Sequence, residues 1–337
     1  MPAMRLAFLL LCLVSALPAR AWSPQGHQTI GAIADTLLSG TRAAREVHAL
    51  LGDESLGTAA LWADCVKGVS ERAPQRYVAN PRYAECQPFH GEVGEREMED
   101  YVRRNLDACR PLRGQESCHK QYHYTDVAVQ RAAYARGLVG TSDHDIVAAI
   151  QACVRVLRGE PAPGPFDLRS RKEALRLLAH LVGDVHQPLH VGVVYLDAAG
   201  GLADPDEHGY RADTDTHGGN AMQDANGQNW HSEWDALPGR LQADRFVGAG
   251  AGLAKAVGRT RGDVLGWPQV WATETLVLSA QVHARLSYGA RREDEKSRGN
   301  WPILGKTAQG PADASLKESQ VVKAGAQLAQ LLEAIWP

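Results

Sequence analysis

The sequence predicts an all-α fold in a single compact domain. Three observations carry that expectation: apolar residues recur at helical spacing through most of the chain, alternating strand-like runs are scarce, and no linker or internal repeat divides it. The composition agrees. With 337 residues, 44% hydrophobic and 22% charged, the chain is long enough to bury a generous core, which excludes a disordered tail or a collagen-like repeat. A formal net charge of −3 offers no basic surplus for gripping nucleic-acid phosphates. If nucleic acid is the partner, something other than Lys and Arg must supply the positive field.

The N-terminal segment stands apart from the fold. Arg5, an apolar run over 6–17 and then Ala19-Arg20-Ala21 read as a secretory signal peptide of residues 1–21, cleaved after Ala21. The run falls short of the ~20 apolar residues a membrane span requires, and no later stretch reaches that length. Cleavage would start a domain of residues 22–337 at Trp22 and, by removing two arginines, take the formal charge from −3 to −5. A secreted or periplasmic protein follows. Cys12 leaves with the signal, and Cys65, Cys86, Cys109, Cys118 and Cys153 remain. In an oxidising compartment some of these pair, with Cys109–Cys118 the most local candidate and at least one left over.

The elements follow in order. Ile30, Ile33, Ala34, Leu37 and Leu38 repeat at helical spacing just after His27. Met98, Tyr101, Val102 and Leu106 mark an amphipathic helix over 95–108. A further helix takes Asp143 as its N-cap, runs through Ile146, Ile150, Cys153 and Leu157, and stops at Gly159. A loop spans 161–165. The helix over 170–185 is apolar nearly all round, which marks a buried central element. Another covers 319–335, with Val321, Leu328, Leu332 and Ile335 on one face. The Asp- and Gly-rich stretch 197–219 reads as a long irregular excursion, and 291–298 as a charged, solvated one.

On the central helix His180 and Asp184 lie one turn apart. A buried imidazole and carboxylate need compensation, either a mutual hydrogen bond or a bound cation. Pro188 ends the helix and frees His190 to turn toward a different ion. His231 and Asp235 repeat the i, i+4 spacing among large apolar residues. Four nitrogen and oxygen ligands without paired cysteines suit zinc in a hydrolytic site.

The ordered set Trp22 with His27, Trp62-Ala-Asp64, His123-Tyr-Thr-Asp126, His180 through Asp184 to His190, Gly218-Gly219-Asn220 and His231 to Asp235 resembles the S1/P1 nuclease family. That family belongs to the trinuclear-zinc superfamily shared with bacterial zinc phospholipase C. The match runs over 22–235. It implies the helical fold of that type and three Zn²⁺ per chain: one on Asp64, His123, His180 and Asp184; a second on His190, His231 and Asp235; a third on His27, a bridging Asp184, and the free amine and carbonyl of Trp22. Only removal of the signal peptide makes that amine available. The ions would supply the positive field that the chain lacks and a metal-bound hydroxide for attack on phosphorus. The implied activity is hydrolysis of single-stranded DNA and RNA, and of 3′-mononucleotides, to 5′-phosphates.

The resemblance also implies roles around the ions. Asp126 would orient or deprotonate the attacking water, or else be an exposed salt-bridging residue. Lys67, where the family often carries Arg, would reach phosphate. Tyr124 would stack on a base or pack in the core, and Asn220 would touch substrate. His186 is read as orienting a carboxylate, and the remaining histidines as ordinary surface or core residues. The rival readings are a zinc phospholipase C-type phosphodiesterase and a non-catalytic zinc-binding protein. No obligate protein partner is expected.

Overall fold

The computed structural model describes residues 22–111, 115–293, 299–306 and 311–337. The expected signal peptide and positions 294–298 of the charged stretch lie outside them. Helices dominate, as the periodicity demands, and the strands are short. The central helix Arg171–Asp184 starts from a Ser170 cap that accepts from Glu173 N, and every residue from Ala174 to Asp184 is buried. It packs against Ile146–Leu157, while Pro24–Leu38 lies between it, Ala243–Ala254 and the C-terminal helix Pro311–Ile335. No helix among the described residues is long and apolar enough to cross a membrane.

Some boundaries shift for local reasons. The helix expected over 95–108 is Glu92–Arg104. It ends where Asn105 turns its amide onto the carbonyls of Tyr101 and Asp167. The cap of Ile146–Leu157 is Asp145, not Asp143. Asp145 accepts from Ala148 N at 3.0 Å and from the Tyr134 hydroxyl at 2.7 Å, whereas Asp143 only pairs with His144. The last helix begins at Pro311 rather than 319, with proline in the first turn, where a missing N–H costs nothing.

The short strands place loops rather than form a core. Val127–Ala128 pairs in parallel with Gly192–Val193, and Thr125 N donates to His190 O at 2.9 Å. The His123–Asp126 segment is thereby laid alongside the turn after the central helix. The excursion over 197–219 opens with the hairpin of Tyr195–Leu196 and Leu202–Ala203. Its Asp residues serve as turn acceptors: Asp197 takes Ala199 N and Gly201 N, Asp204 caps Pro205–His208, and Asp215 takes His217 N. Disulfides join Cys65 to Cys86 and Cys109 to Cys118, leaving Cys153 as a buried thiol.

Candidate metal centre

Asp184 sits at the buried end of the central helix, and three imidazoles converge on it. Its Oδ2 lies 3.0 Å from His180 Nε2 and 3.0 Å from His123 Nδ1, and its Oδ1 lies 3.3 Å from His27 Nε2. Asp64 Oδ1 stands 3.8 Å from His180 Nε2. His27 stacks on His180 with ring centroids 3.8 Å apart. Gly183 makes that stack possible, since a Cβ there would come within 2.9 Å of His27 Nδ1. On the other side His190 Nε2 lies 3.2 Å from His231 Nε2, which is 3.5 Å from Asp235 Oδ2. The donors therefore fall into three groups, His27–His180–Asp184, Asp64–His123–His180 and His190–His231–Asp235, each with its ligand atoms within 4.8 Å of one another.

Backbone carbonyls set the ring orientations. His180 Nδ1 donates to Ala60 O at 2.6 Å, His190 Nδ1 to His123 O at 2.8 Å and His231 Nδ1 to Gly218 O at 2.7 Å. A carbonyl only accepts, so each ring carries its proton on Nδ1 and turns the Nε2 lone pair into the cluster, as a metal ligand must. Only glycine fits where that carbonyl is presented, since Gly218 has φ +59° and a Cβ there would strike Leu189 O at 2.6 Å.

Several atoms inside the cluster have no hydrogen-bond partner: His27 Nδ1 and Nε2, Asp184 Oδ1 and Asp235 Oδ2. Buried polar atoms are rarely left so, and nitrogen and carboxylate donors aimed at common points fit divalent ions of the zinc type. For three of the rings the electrostatics agree. Burial lowers His27 to about 4, helped by His180. Burial, with Lys67, takes His123 to about 3, and burial, with His190, takes His231 to about 3. Burial opposes the charge of His180 as well, but Asp184 and Asp64 outweigh it and raise that ring. Burial pushes the Asp235 carboxyl well up, while Asp184 is drawn well below its usual value against its burial, by His180 and His190.

The other sequence-derived positions lie around this cluster. The buried Trp22 donates from its indole to Gly183 O at 3.0 Å, and Ser23 N donates to Asp235 O at 2.8 Å. Lys67 Nζ rests 2.7 Å from Asp64 Oδ1. Asp126 is anchored through its backbone, its N donating to Gly140 O and its O accepting from the Tyr195 hydroxyl. Burial, then Asp215 and Glu116, push its carboxyl well above the usual range. The half-buried Tyr124 donates to Glu116 Oε2. Asn220 Nδ2 donates to His217 O at 2.9 Å, closing the turn that carries Gly218.

His186 does not orient a carboxylate. Its ring bonds Val182 O and Gln327 Oε1, tying the end of the central helix to the C-terminal helix. The residue that holds a carboxylate is its neighbour Gln187, whose Nε2 donates to Asp235 Oδ1 at 2.8 Å. Sequence reasoning passed over it because that contact spans 48 residues. The signal available was an amide in an otherwise apolar and histidine run.

No curated protein matches the chain. The S1/P1 Nuclease family model matches residues 100–337, so Trp22, His27, Asp64 and Lys67 precede the matched span and join the rest through geometry. With that match over most of its length, the chain belongs to the S1/P1 nuclease family, metal-dependent hydrolases of phosphodiester bonds in nucleic acid.

Proposed function

We propose that the protein is an exported, three-zinc nuclease. In this reading it cleaves single-stranded DNA and RNA, and 3′-mononucleotides, to leave 5′-phosphates. The observation that carries it is the set of buried donor atoms around Asp184 and Asp235 that crowd together without a hydrogen bond. Asp64, His123, His180 and Asp184 would hold one ion and His190, His231 and Asp235 a second. His27, Asp184 and the Trp22 amine and carbonyl would hold a third. The anchored indole of Trp22 supports that last assignment, which requires residues 1–21 to be removed as a signal peptide and leaves 22–337 as the mature domain. When bound, such ions act as Lewis acids on phosphoryl oxygens and make water a usable nucleophile near neutral pH.

The chain's own residues then handle protons and substrate. Asp126, its carboxyl raised by burial and acidic neighbours, is a stronger base than an ordinary carboxylate and takes the proton of the attacking water. The new bond forms between water oxygen and phosphorus. The bond from phosphorus to the 3′ oxygen breaks, its electron pair leaves on that oxygen, which takes a proton from solvent to become the 3′-hydroxyl, and the phosphate stays on the 5′ oxygen. Lys67 balances phosphate charge by exchanging its ion pair with Asp64 for substrate. Tyr124 offers a ring face to an unpaired base, an interaction of ~1–3 kcal/mol that a duplex conceals. Asn220 keeps its Oδ1 for a substrate donor, since its Nδ2 is engaged.

The deciding experiment measures zinc per chain alongside cleavage of single-stranded DNA, double-stranded DNA and a soluble phosphodiester lipid analogue. Full zinc with preferential single-strand cleavage is expected. Preference for the lipid analogue would move the assignment to phospholipase chemistry, and a zinc-replete protein inert on every phosphoester would end the enzymatic reading.

A further inference from the structure

The helix Trp230–Asp235 has six residues, too few for its own ladder to satisfy its last carbonyls. They are met from outside. Lys317, on the C-terminal helix, donates from Nζ to Glu233 O at 2.7 Å and to Ala236 O at 2.8 Å. Its residue is only 9% exposed, and the ammonium lies 5.4 Å from the centre of the Trp234 ring. A buried ammonium is costly unless it is well bonded. Here it meets the negative end of a helix, where a cation is stabilised. The same C-terminal helix reaches the turn after Asp184: Gln320 Nε2 donates to His186 O at 2.8 Å, and Gln327 bonds the His186 ring. One helix thus grips both stretches that carry His190, His231 and Asp235, and does so through backbone carbonyls and His186 rather than through the ligand side chains.

We propose that Lys317 is a positioning residue for the His190–His231–Asp235 group, setting the rotation of Trp230–Asp235 and with it the direction of Asp235 Oδ2. This rests on the reading of that group as a metal site. With the ammonium gone, two carbonyls at the end of a one-and-a-half-turn helix lose their donor, and the helix is free to fray or turn. The Asp64–His123–His180 and His27–His180–Asp184 groups are not among the partners of Lys317 and do not depend on it.

The test titrates zinc into the chelator-stripped mature protein against a competing chromophoric chelator, comparing wild type, Lys317→Met, Lys317→Arg and His231→Ala. Thermal unfolding of each zinc-free protein runs in parallel. His231→Ala defines which step of the titration belongs to the group. In Lys317→Met that step is expected to weaken by roughly ten- to a hundredfold, the size typical of residues that support metal ligands, with the other steps unchanged. Lys317→Arg restores it. A Met variant that titrates like wild type overturns the proposal, as does one that weakens every step alike, which is the mark of a general packing defect. If His231→Ala removes no step from the wild-type titration, the metal reading of this group fails and the Lys317 proposal fails with it. Should Lys317→Met not fold, Lys317→Gln retains one donor and is expected to weaken the same step to a lesser degree, unchanged affinity again counting against the role.

Discussion

The two sides of the metal centre are built in opposite ways. Around Asp184 three donors come from long helices of the main core: His180 and Asp184 share one helix, and His27 projects from Pro24–Leu38 to stack on His180, while Asp64 sits on the short helix Trp62–Cys65 and His123 in a turn. Around Asp235 they come from the three-residue turn Pro188–His190 and the six-residue helix Trp230–Asp235. There the side chains are met by one bond from Gln187 to Asp235 and one from His231 to Gly218 O, and Lys317 donates two to the end of the short helix. The three helical donors of the first side inherit their geometry from helix periodicity and from the packing of the main core. The second is held by a few hydrogen bonds to side chains and carbonyls of short segments. One side should therefore fail as a unit and the other by degrees.

Asp184→Asn is the strongest test, because Asp184 meets His27, His123 and His180 at once. Activity should fall to background and more than one zinc should be lost per chain, as metal analysis would read. Full activity with two or more zincs retained would show that the Asp184 side is not a unit. Next in size is Asp126→Asn, which belongs to neither side. Its loss should cost a hundred- to ten-thousandfold in kcat, the range of a general base, with zinc content unchanged. A parallel loss of zinc would mean that Asp126 acts through the metal centre instead of on water.

Gln187→Leu isolates the softer side. It removes the donor to Asp235 Oδ1 and leaves the Asp184 contacts alone. Zinc affinity should fall roughly ten- to a hundredfold at one step of a chelator competition, while the steps assigned to the Asp184 groups hold. Equal weakening at every step would abolish the distinction between the two sides.

The same contrast governs what was legible in the sequence. His180 and Asp184 on a helix apolar nearly all round announce themselves, since period, burial and residue type coincide in one short window. The fold class followed for the same reason. Helix ends were less legible: Asp143 and Asp145 are equally good caps by type, and the Tyr134 hydroxyl bonded to Asp145 comes from 11 positions away. Gln187 and Lys317 act across 48 and 81 to 84 residues. No local pattern encodes such contacts, and His186, with its more suggestive imidazole, drew the role that Gln187 fills. The candidate donors around Asp235 were visible as a repeated spacing, but their supports were not.

The smallest effect involves no ligand and so serves as a control for both sides. His119 is buried against the edge of Tyr101, and neither ring nitrogen has a partner. Burial, aided by Lys120 and opposed by Glu71, lowers its pKa to about 4 from the ordinary 6.5. Between those values the unfolded chain binds a proton that the folded chain refuses. Stability from this source is complete above pH ~6.5 and is lost as the pH falls toward 4. One unit below the ordinary value, at pH ~5.5, the ring costs about 1.4 kcal/mol. His283, also lowered to about 4 by burial, adds a similar loss. His119→Phe keeps a flat ring in an apolar site and cannot be protonated. Denaturant unfolding of the zinc-free protein at pH ~7.5 and ~5.5 should therefore show the variant losing about 1.4 kcal/mol less than wild type on acidification. If the two lose stability equally, His119 is not part of the acid response. The acid sensitivity of the zinc-free protein would then have to come from other groups, with the buried histidines around Asp184 and Asp235 the next to vary.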